Sequence, residues 1–392
     1  MILEHKDDLK AFREAVRSWT HETAPPERAH EWHRSKGPEL VEIQRWWLAE
    51  CHKVGLAIAN WPVEYGGAGL GLAHQIIIAD EFARARSPGS DMFVISLNHV
   101  PGTLIPHGTE AQKKKYLPAV PAGELWCQGF SEPGAGSDLA SLKTRAVRAN
   151  DSGGDHYVVN GQKIWSTNSM YATQCLLLVR TDPTVKKHHG ISYLIMDMNT
   201  PGVEVRPIRK SNGASNFGEI FMTDVRIPVE NLIGAENNGW MVSQSTLSSE
   251  RGVLSFDGAE RDMIFLVDVY NQARAEGAAW LDDAELRREF ITLFAEMQAS
   301  RQQIRALLRE PHEPGVFSMT PSLVKMARTT LNNRIGAFRV RAQGLSSQYG
   351  DHSTWRPSMY EFLETFGSTI SGGSNEIQRN LISERGLGMP KG

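Results

Sequence analysis

The segment Phe130-Ser131-Glu132-Pro133-Gly134-Ala135-Gly136-Ser137-Asp138 combines a proline and two glycines one residue apart with the polar side chains of Ser131, Ser137 and Asp138. Pro133 and the glycines exclude a helix and let the backbone come close to a bound molecule, while the hydroxyls and the carboxylate surround the turn with polar atoms. Such a turn suits a planar, polar-edged ligand that carries phosphates. An alternating run follows, Tyr157-Val158-Val159-Asn160-Gly161-Gln162-Lys163-Ile164-Trp165, closed by Ser166-Thr167-Asn168. It alternates as a half-buried strand does, and Asn160-Gly161 within it is a hairpin-turn signal. Trp165 is thereby expected on a strand, with two hydroxyl residues at the strand's end.

Two further strings accompany these. Trp61-Pro62-Val63-Glu64-Tyr65-Gly66-Gly67 interrupts a helical pattern, and Gly372-Gly373-Ser374-Asn375-Glu376-Ile377-Gln378-Arg379-Asn380 opens a final helix that Ser374 can cap. Taken singly, these features read as a turn, a connector and a helix cap. Together they resemble the corresponding segments of the acyl-CoA dehydrogenase family, and the resemblance covers nearly the whole chain. It implies FAD as cofactor, held by Gln128, Phe130, Ser131, Gly136, Ser137, Trp165, Ser166 and Thr167, with Ser374 and Glu376 of the tail near the flavin and its pyrophosphate. Ser137 is also implied at the acyl-CoA substrate.

The same resemblance implies a base. Removing an α-proton while hydride leaves the β-carbon requires a carboxylate on the face of the substrate opposite the flavin. Many members carry it just before the Gly-Thr of the tail string, where this chain has Gly372. A minority, including the isovaleryl and long-chain enzymes, hold it in a Glu-Arg pair on the first helix after the β-domain. This chain has Ser248-Ser249-Glu250-Arg251-Gly252 there, so Glu250 is the candidate catalytic base and Arg251 a candidate substrate-binding neighbour. An ordinary surface carboxylate is the other use of Glu250.

Homotetrameric members also carry an Arg-x-x-Phe-Gly-x-Pro-Ile type segment whose arginine reaches the neighbouring subunit's FAD. The region Gly277-Ala278-Ala279-Trp280-Leu281-Asp282-Asp283-Ala284-Glu285-Leu286-Arg287-Arg288 has no such motif, and the Gly-rich string near Gln343-Gly344 is altered. Heteromeric members acting on sterol side chains resemble this arrangement. The implied function is therefore FAD-dependent α,β-dehydrogenation of an acyl-CoA thioester, on a bulky or sterol-derived acyl group, beside a related partner subunit and with an electron-transfer flavoprotein as acceptor. Two alternatives stand beside it. One is a flavin monooxygenase or oxidase on the same fold; the other is a non-catalytic scaffold subunit that completes a partner's site.

The rest of the chain must position these residues. Its 392 residues, 41% of them apolar, are enough for a large core and two or three domains. A formal charge of -3 gives no broad basic field, so neither nucleic acid nor an anionic membrane is expected as a partner. Cys51, Cys127 and Cys175 show no CxxC spacing, and their odd number argues against a disulfide framework, which fits a cytoplasmic protein. No metal site is expected. The first residues lack the apolar core of a signal peptide, and no apolar run is long enough to span a bilayer.

Residues 7–23 and 39–54 carry apolar side chains at helical spacing, 71–85 reads as a buried helix, and 108–118 begins with cap chemistry and places three lysines in one short helix. From residue 126 to about 233 short alternating runs separated by turn clusters argue for a small β-barrel or sandwich. Helical periodicity then returns over 239–275, 282–310 and 319–343. The expected fold is α+β: an N-terminal helical domain over 1–125, a central β-barrel domain over 126–234, and a C-terminal helical bundle over 235–392.

Overall fold

The computed structural model describes residues 2–250, 253–307, 318–349 and 358–391. In chain order the helices are α1 (Leu9–Thr23), α2 (Ala29–Arg34), α3 (Gly37–Lys53), α4 (Leu72–Arg84), α5 (Val100–His107) and α6 (Glu110–Tyr116). Seven strands follow: β1 (Trp126–Gly129), β2 (Arg145–Asp151), β3 (Gly154–Thr167), β4 (Gln174–Arg180), β5 (Ile191–Asp197), β6 (Val203–Ile208) and β7 (Phe217–Pro228). Then come α7 (Gly239–Glu250), α8 (Val253–Glu276), α9 (Ala284–Leu307), α10 (Thr320–Gln343), α11 (Ser346–Tyr349), α12 (Ser358–Ser368) and α13 (Asn375–Leu381). The chain groups into two compact units, one of Met1–Arg34, Gly71–Pro88 and Arg251–Gly392, the other of Ser35–Leu70 and Gly89–Glu250.

In the helical unit, α1 starts at Asp8, whose carboxylate accepts from the amides of Lys10 (2.9 Å) and Ala11 (3.2 Å), a side-chain cap that satisfies two otherwise orphaned donors. Its apolar face buries Phe12 and Val16, and its next turn supplies charge. Arg13 and Arg17 reach the buried Glu81 of α4 at 2.7 and 2.8 Å, and Arg305 of α9 joins Asp80 of α4 to Glu260 of α8. Burial and the neighbouring Glu260 raise the Asp80 carboxyl, while the two arginines outweigh burial at Glu81 and hold it low. The lower bundle is apolar: Trp280 lies edge-on to Phe338 and against Phe290, with Leu266, Leu293, Met297 and Leu331 around it.

The other unit is built on one sheet in the order β1-β4-β2-β3-β7-β6, with β5 on β4. Strand β4 carries the apolar run Cys175–Val179 and β5 the run Tyr193–Met196, buried on both faces. Leu176, Leu178, Tyr193 and Ile195 fill one core with Trp126 and Phe130, while Cys175, Leu177, Leu194 and Met196 fill the other. The three cysteines are free and buried.

The central domain is thus a sheet domain, and among the described residues its ladder stays open, with no pairing that joins β6 back to β5 or β1. One local expectation is overturned. Asn160-Gly161 does not turn a hairpin but lies inside β3, which runs unbroken from Gly154 to Thr167 between β2 and β7. The turn falls instead at Asp151-Ser152-Gly153-Gly154, where the Gly153 amide bonds to Asp151 Oδ1 at 2.8 Å. Asn160 is held by reciprocal 2.9 Å bonds with Asp224, which sits at φ 50° in a bulge of β7. Pairing on both edges of β3 outweighs the local turn preference of the dipeptide.

Candidate active site

The inward positions of β3 are Tyr157, Val159 and Lys163. A regular pleat would send Trp165 inward as well, since side chains alternate with period two. The ladder to β7 slips by one residue here: Lys163 pairs with Ile220 but Ser166 with Gly218. Three residues of β3 therefore span two of β7, and Trp165 takes φ 62° in the resulting bulge. Its indole turns outward, 54% exposed, with Phe217 edge-on at 6.0 Å, while Ser166 turns inward. The Ser166 hydroxyl is buried without a hydrogen-bond partner, as are Asn168 Oδ1 and Asn216 Oδ1 beside it, the latter two on residues joined by the 2.9 Å bond from the Asn168 amide to the Asn216 carbonyl.

The turn after β1 lies against this strand. The Ile164 amide donates to the Ser131 carbonyl at 2.9 Å, and Glu132 and Ala135 exchange backbone bonds of 3.1 and 3.0 Å that close the loop around Pro133-Gly134. Beneath it lies a buried ion pair. Lys163 Nζ, fully buried, donates to Glu132 Oε1 at 2.9 Å and to the Phe130 carbonyl at 3.1 Å, and Glu132 also accepts from the amides of Lys143 (2.6 Å) and Thr144 (2.8 Å). Burial opposes ionisation of Glu132, yet Lys163 and those donors hold its carboxyl below the usual range; burial likewise lowers the Lys163 ammonium against the pull of Glu132. Gln128 pairs with Leu176 from β1, and Phe130 is buried edge-on to Tyr193 at 5.6 Å. Beyond the pair the loop is exposed at Gly134, Gly136 and Ser137, and a Cβ added at either glycine would meet nothing within 4 Å.

The structure thus gathers Gln128, Phe130, Ser131, Gly136, Ser137, Trp165, Ser166 and Thr167 on the adjoining β1, turn and β3 segments, with Gly136, Ser137 and Trp165 exposed and Phe130 and Ser166 buried. Ser374 and Glu376 belong to the helical unit. There Ser374 caps α13 through the Ile377 amide (3.3 Å), and Glu376 is exposed beside Arg379 (3.2 Å). The tail turn takes φ 64° at Gly372 and 85° at Gly373, and Lys325 of α10 holds it, donating to the carbonyls of Thr369 (3.1 Å) and Gly373 (2.9 Å) and to Asn375 Oδ1 (2.8 Å). Lys163, Glu132 and Lys325 escaped the sequence reading. A lysine at an inward parity of a strand was the available signal, because a buried ammonium requires a carboxylate.

Glu250 is the last residue of α7, and its side chain lies outside the described residues, as does Arg251. One turn earlier, Thr246 Oγ1 meets Thr103 Oγ1 at 2.6 Å and Tyr193 OH at 3.2 Å, which anchors this helix to α5 and β5. In the segment 277–288 the chain spends its side chains on packing: Trp280 is core, and Asp283 caps α9 through the amides of Glu285 and Leu286 at 2.8 and 3.0 Å.

The exposed indole, the orphaned Ser166 hydroxyl and the open glycine turn fit a planar ring system with a phosphate tail. Comparison with known proteins gives that fit a family. The acyl-CoA dehydrogenase N-terminal, middle and C-terminal domain models match residues 6–124, 127–225 and 237–387. The chain is 34% identical over 410 residues to acyl-CoA dehydrogenase IpdE1 of Mycolicibacterium smegmatis, with 98% of each chain covered. It is 32% identical over 415 residues to acyl-CoA dehydrogenase FadE29 of Mycobacterium tuberculosis, covering 100% of this chain and 99% of that one. Among solved structures, the Tcur3481-Tcur3483 steroid ACAD superposes with a TM-score of 0.84 at 28% identity over 98% of both chains. A chain of the ChsE4-ChsE5 complex from Mycobacterium tuberculosis gives 0.78 at 29%, over 99% of this chain and 98% of that one. The chain belongs to the acyl-CoA dehydrogenase family. Its activity is that family's, the FAD-dependent α,β-dehydrogenation of an acyl-CoA thioester.

Proposed function

We propose that this chain is the base-bearing subunit of a heteromeric acyl-CoA dehydrogenase whose substrate carries a steroid-derived acyl group. The observation that carries the assignment of the base is the backbone at Gly372. At φ 64° it favours glycine over any side chain, so the base position that many family members use carries none here, and the resemblance of the Glu250-Arg251 pair to the family's other base position points to Glu250, at the end of α7, for the α-proton. Bound FAD supplies the acceptor for the β-hydride. The chain's own residues do the rest: Glu250 takes the proton, Arg251 and Ser137 bind substrate, Trp165 walls the ring, and Ser131, Ser166 and Thr167 offer hydrogen bonds to its polar edge. The amides at Gly136 and Ser137 suit the pyrophosphate, with Gln128 and Phe130 beside them, and the family resemblance adds Ser374 and Glu376 as cofactor-binding residues.

The steroid reading is supported by the similarity to proteins described as steroid ACADs, and the partner by the similarity to a complex of two such chains. The segment 277–288 supports the partner independently, since its aromatic side chain is committed to the core and no arginine motif stands there. Two charge-assisted bonds absent from the cofactor weaken binding by about 3–6 kcal/mol, roughly two to four powers of ten. An electron-transfer flavoprotein in the cytoplasm is the proposed acceptor.

The test is co-expression with a related acyl-CoA dehydrogenase chain, followed by FAD per protomer, assembly mass and turnover on an acyl-CoA panel. Glu250→Gln in that complex should keep FAD and lose turnover by about 10²–10⁴-fold, the usual worth of a general base. Undiminished turnover would remove Glu250 from the mechanism. A yellow, active homotetramer with FAD in every subunit would remove the partner.

A further inference from the structure

We infer that the buried Lys163–Glu132 ion pair is the positioning device of the cofactor site, setting the spacing between the glycine turn and the strand end that carries Trp165. This rests on the reading of those two segments as FAD-binding.

The pair joins the glycine turn to β3 from beneath, beside the backbone bond from the Ile164 amide to the Ser131 carbonyl. Lys163 belongs to β3, two residues before Trp165. Its stem runs past Gly129, where an added Cβ would lie 3.5 Å from Lys163 Cγ, and its ammonium ends between the Phe130 carbonyl (3.1 Å) and Glu132 Oε1 (2.9 Å). Glu132 then fixes the far side of the loop through the Lys143 and Thr144 amides. Together with the bond from the Ile164 amide to the Ser131 carbonyl, this pins the backbone at residues 130, 131, 132, 143 and 144 to one strand. The residues proposed to touch the cofactor, Ser131, Gly136, Ser137 and Trp165, all lie within a few residues of that clamp.

Stability alone does not account for it. A buried ion pair is on average no better for folding than an apolar pair of the same volume, because desolvation offsets the attraction. What an apolar pair could not do is hold one carbonyl and two amides at fixed places. Lys163 and Glu132 are both buried beneath the turn, so they act as positioning residues through the groups they hold.

The test uses the complex of this chain with its partner subunit and two variants, Lys163→Met and the conservative Glu132→Gln. FAD affinity is titrated, kcat and KM are measured separately, and amide hydrogen exchange is followed at Lys143, Thr144 and Ile164, with Leu177 and Leu194 of the sheet core as controls. Lys163→Met should weaken FAD at least tenfold and accelerate exchange at the three loop amides but not at the controls; Glu132→Gln should fall between it and the unaltered chain. FAD affinity and loop exchange within twofold of the unaltered protein would overturn the inference, and Glu132→Gln alone decides it if Lys163→Met fails to fold. If the unaltered complex binds no FAD, the reading of the site fails instead. The exchange data then still show whether the pair orders the turn, and unchanged loop exchange would overturn that too.

Discussion

Two glycines separate what the fold requires from what a ligand requires. At Gly161 an added Cβ would lie 2.7 Å from Thr144 Cα and Oγ1 and 2.9 Å from its Cβ, against about 3.5–4.0 Å for an ordinary carbon contact. Thr144 cannot yield, because its amide bonds to Glu132 at 2.8 Å and its carbonyl accepts from the Arg180 amide at 2.6 Å. Overpacking of this kind costs about 1–3 kcal/mol, and the Gly161 conformation, φ 154°, adds to it, so Gly161→Ala should destabilise the sheet unit by about 2–4 kcal/mol. At 3 kcal/mol the folded-to-unfolded ratio falls somewhat over a hundredfold. Gly136 is the opposite case: its added Cβ meets nothing within 4 Å, and Ala there should leave stability unchanged or raise it by about 0.4–1 kcal/mol through the unfolded chain. If the pyrophosphate lies against this turn, the same methyl lowers FAD affinity at least tenfold. Calorimetric midpoints and FAD titration of both variants decide the matter. A Gly161→Ala protein as stable as its parent would refute the packing argument, and a Gly136→Ala protein that binds FAD normally would turn this part of the loop away from the cofactor.

Trp165→Ala should lower FAD occupancy more than it lowers the melting midpoint of the apo chain, since the indole is 54% exposed; full occupancy in the variant would leave the residue a packing role only. His107, 2.7 Å from Ser245 Oγ, is held below its ordinary value of 6.5 by burial. The unfolded chain then takes up the proton first, so this contribution is complete above pH 6.5 and is lost as pH falls below it. His107→Gln should flatten the pH dependence of the midpoint between about pH 7 and pH 5, and an unchanged slope would reject the assignment. Glu260, buried between Arg301 (2.8 Å) and Arg305 (3.1 Å), is expected to cost about 2–4 kcal/mol when replaced by Gln, read as a fall in the melting midpoint that added salt does not abolish.

Periodicity carried much of this fold into view. The alternation at Val203–Ile208 marks β6 to the residue, and the Ser374 cap before Asn375 marks the start of α13. Those signals are local, and so was the misreading of Asn160-Gly161. A turn dipeptide is overruled only by partners on both sides, and while β2 precedes β3 directly, the β7 residues that pair with it, such as Met222 opposite Gly161, lie far along the chain. Sheet closure is similarly non-local, so a string of short strands could not distinguish a barrel from an open ladder. At the site, the residues proposed to contact the cofactor stand in motifs that are local in sequence and legible there. Their supports were not: Lys163 and Lys325 each answer to acceptors remote in sequence, Glu132 and the carbonyls of Thr369 and Gly373. No helix among the described residues is long and apolar enough to cross a membrane.

The slip between Lys163 and Ser166 makes the register of this segment matter as much as its composition. Keeping every residue but pairing the segment in regular register would send Trp165 inward with Lys163 and turn Ser166 outward, whereas deleting Ile164 along with the bulge would leave both side chains facing as they do now. A graft that preserved every side chain of the motif but paired it with a strand giving no slip would thus bury the indole and expose the serine. Anyone transplanting this strand into another scaffold must copy its offset against β7 along with its letters.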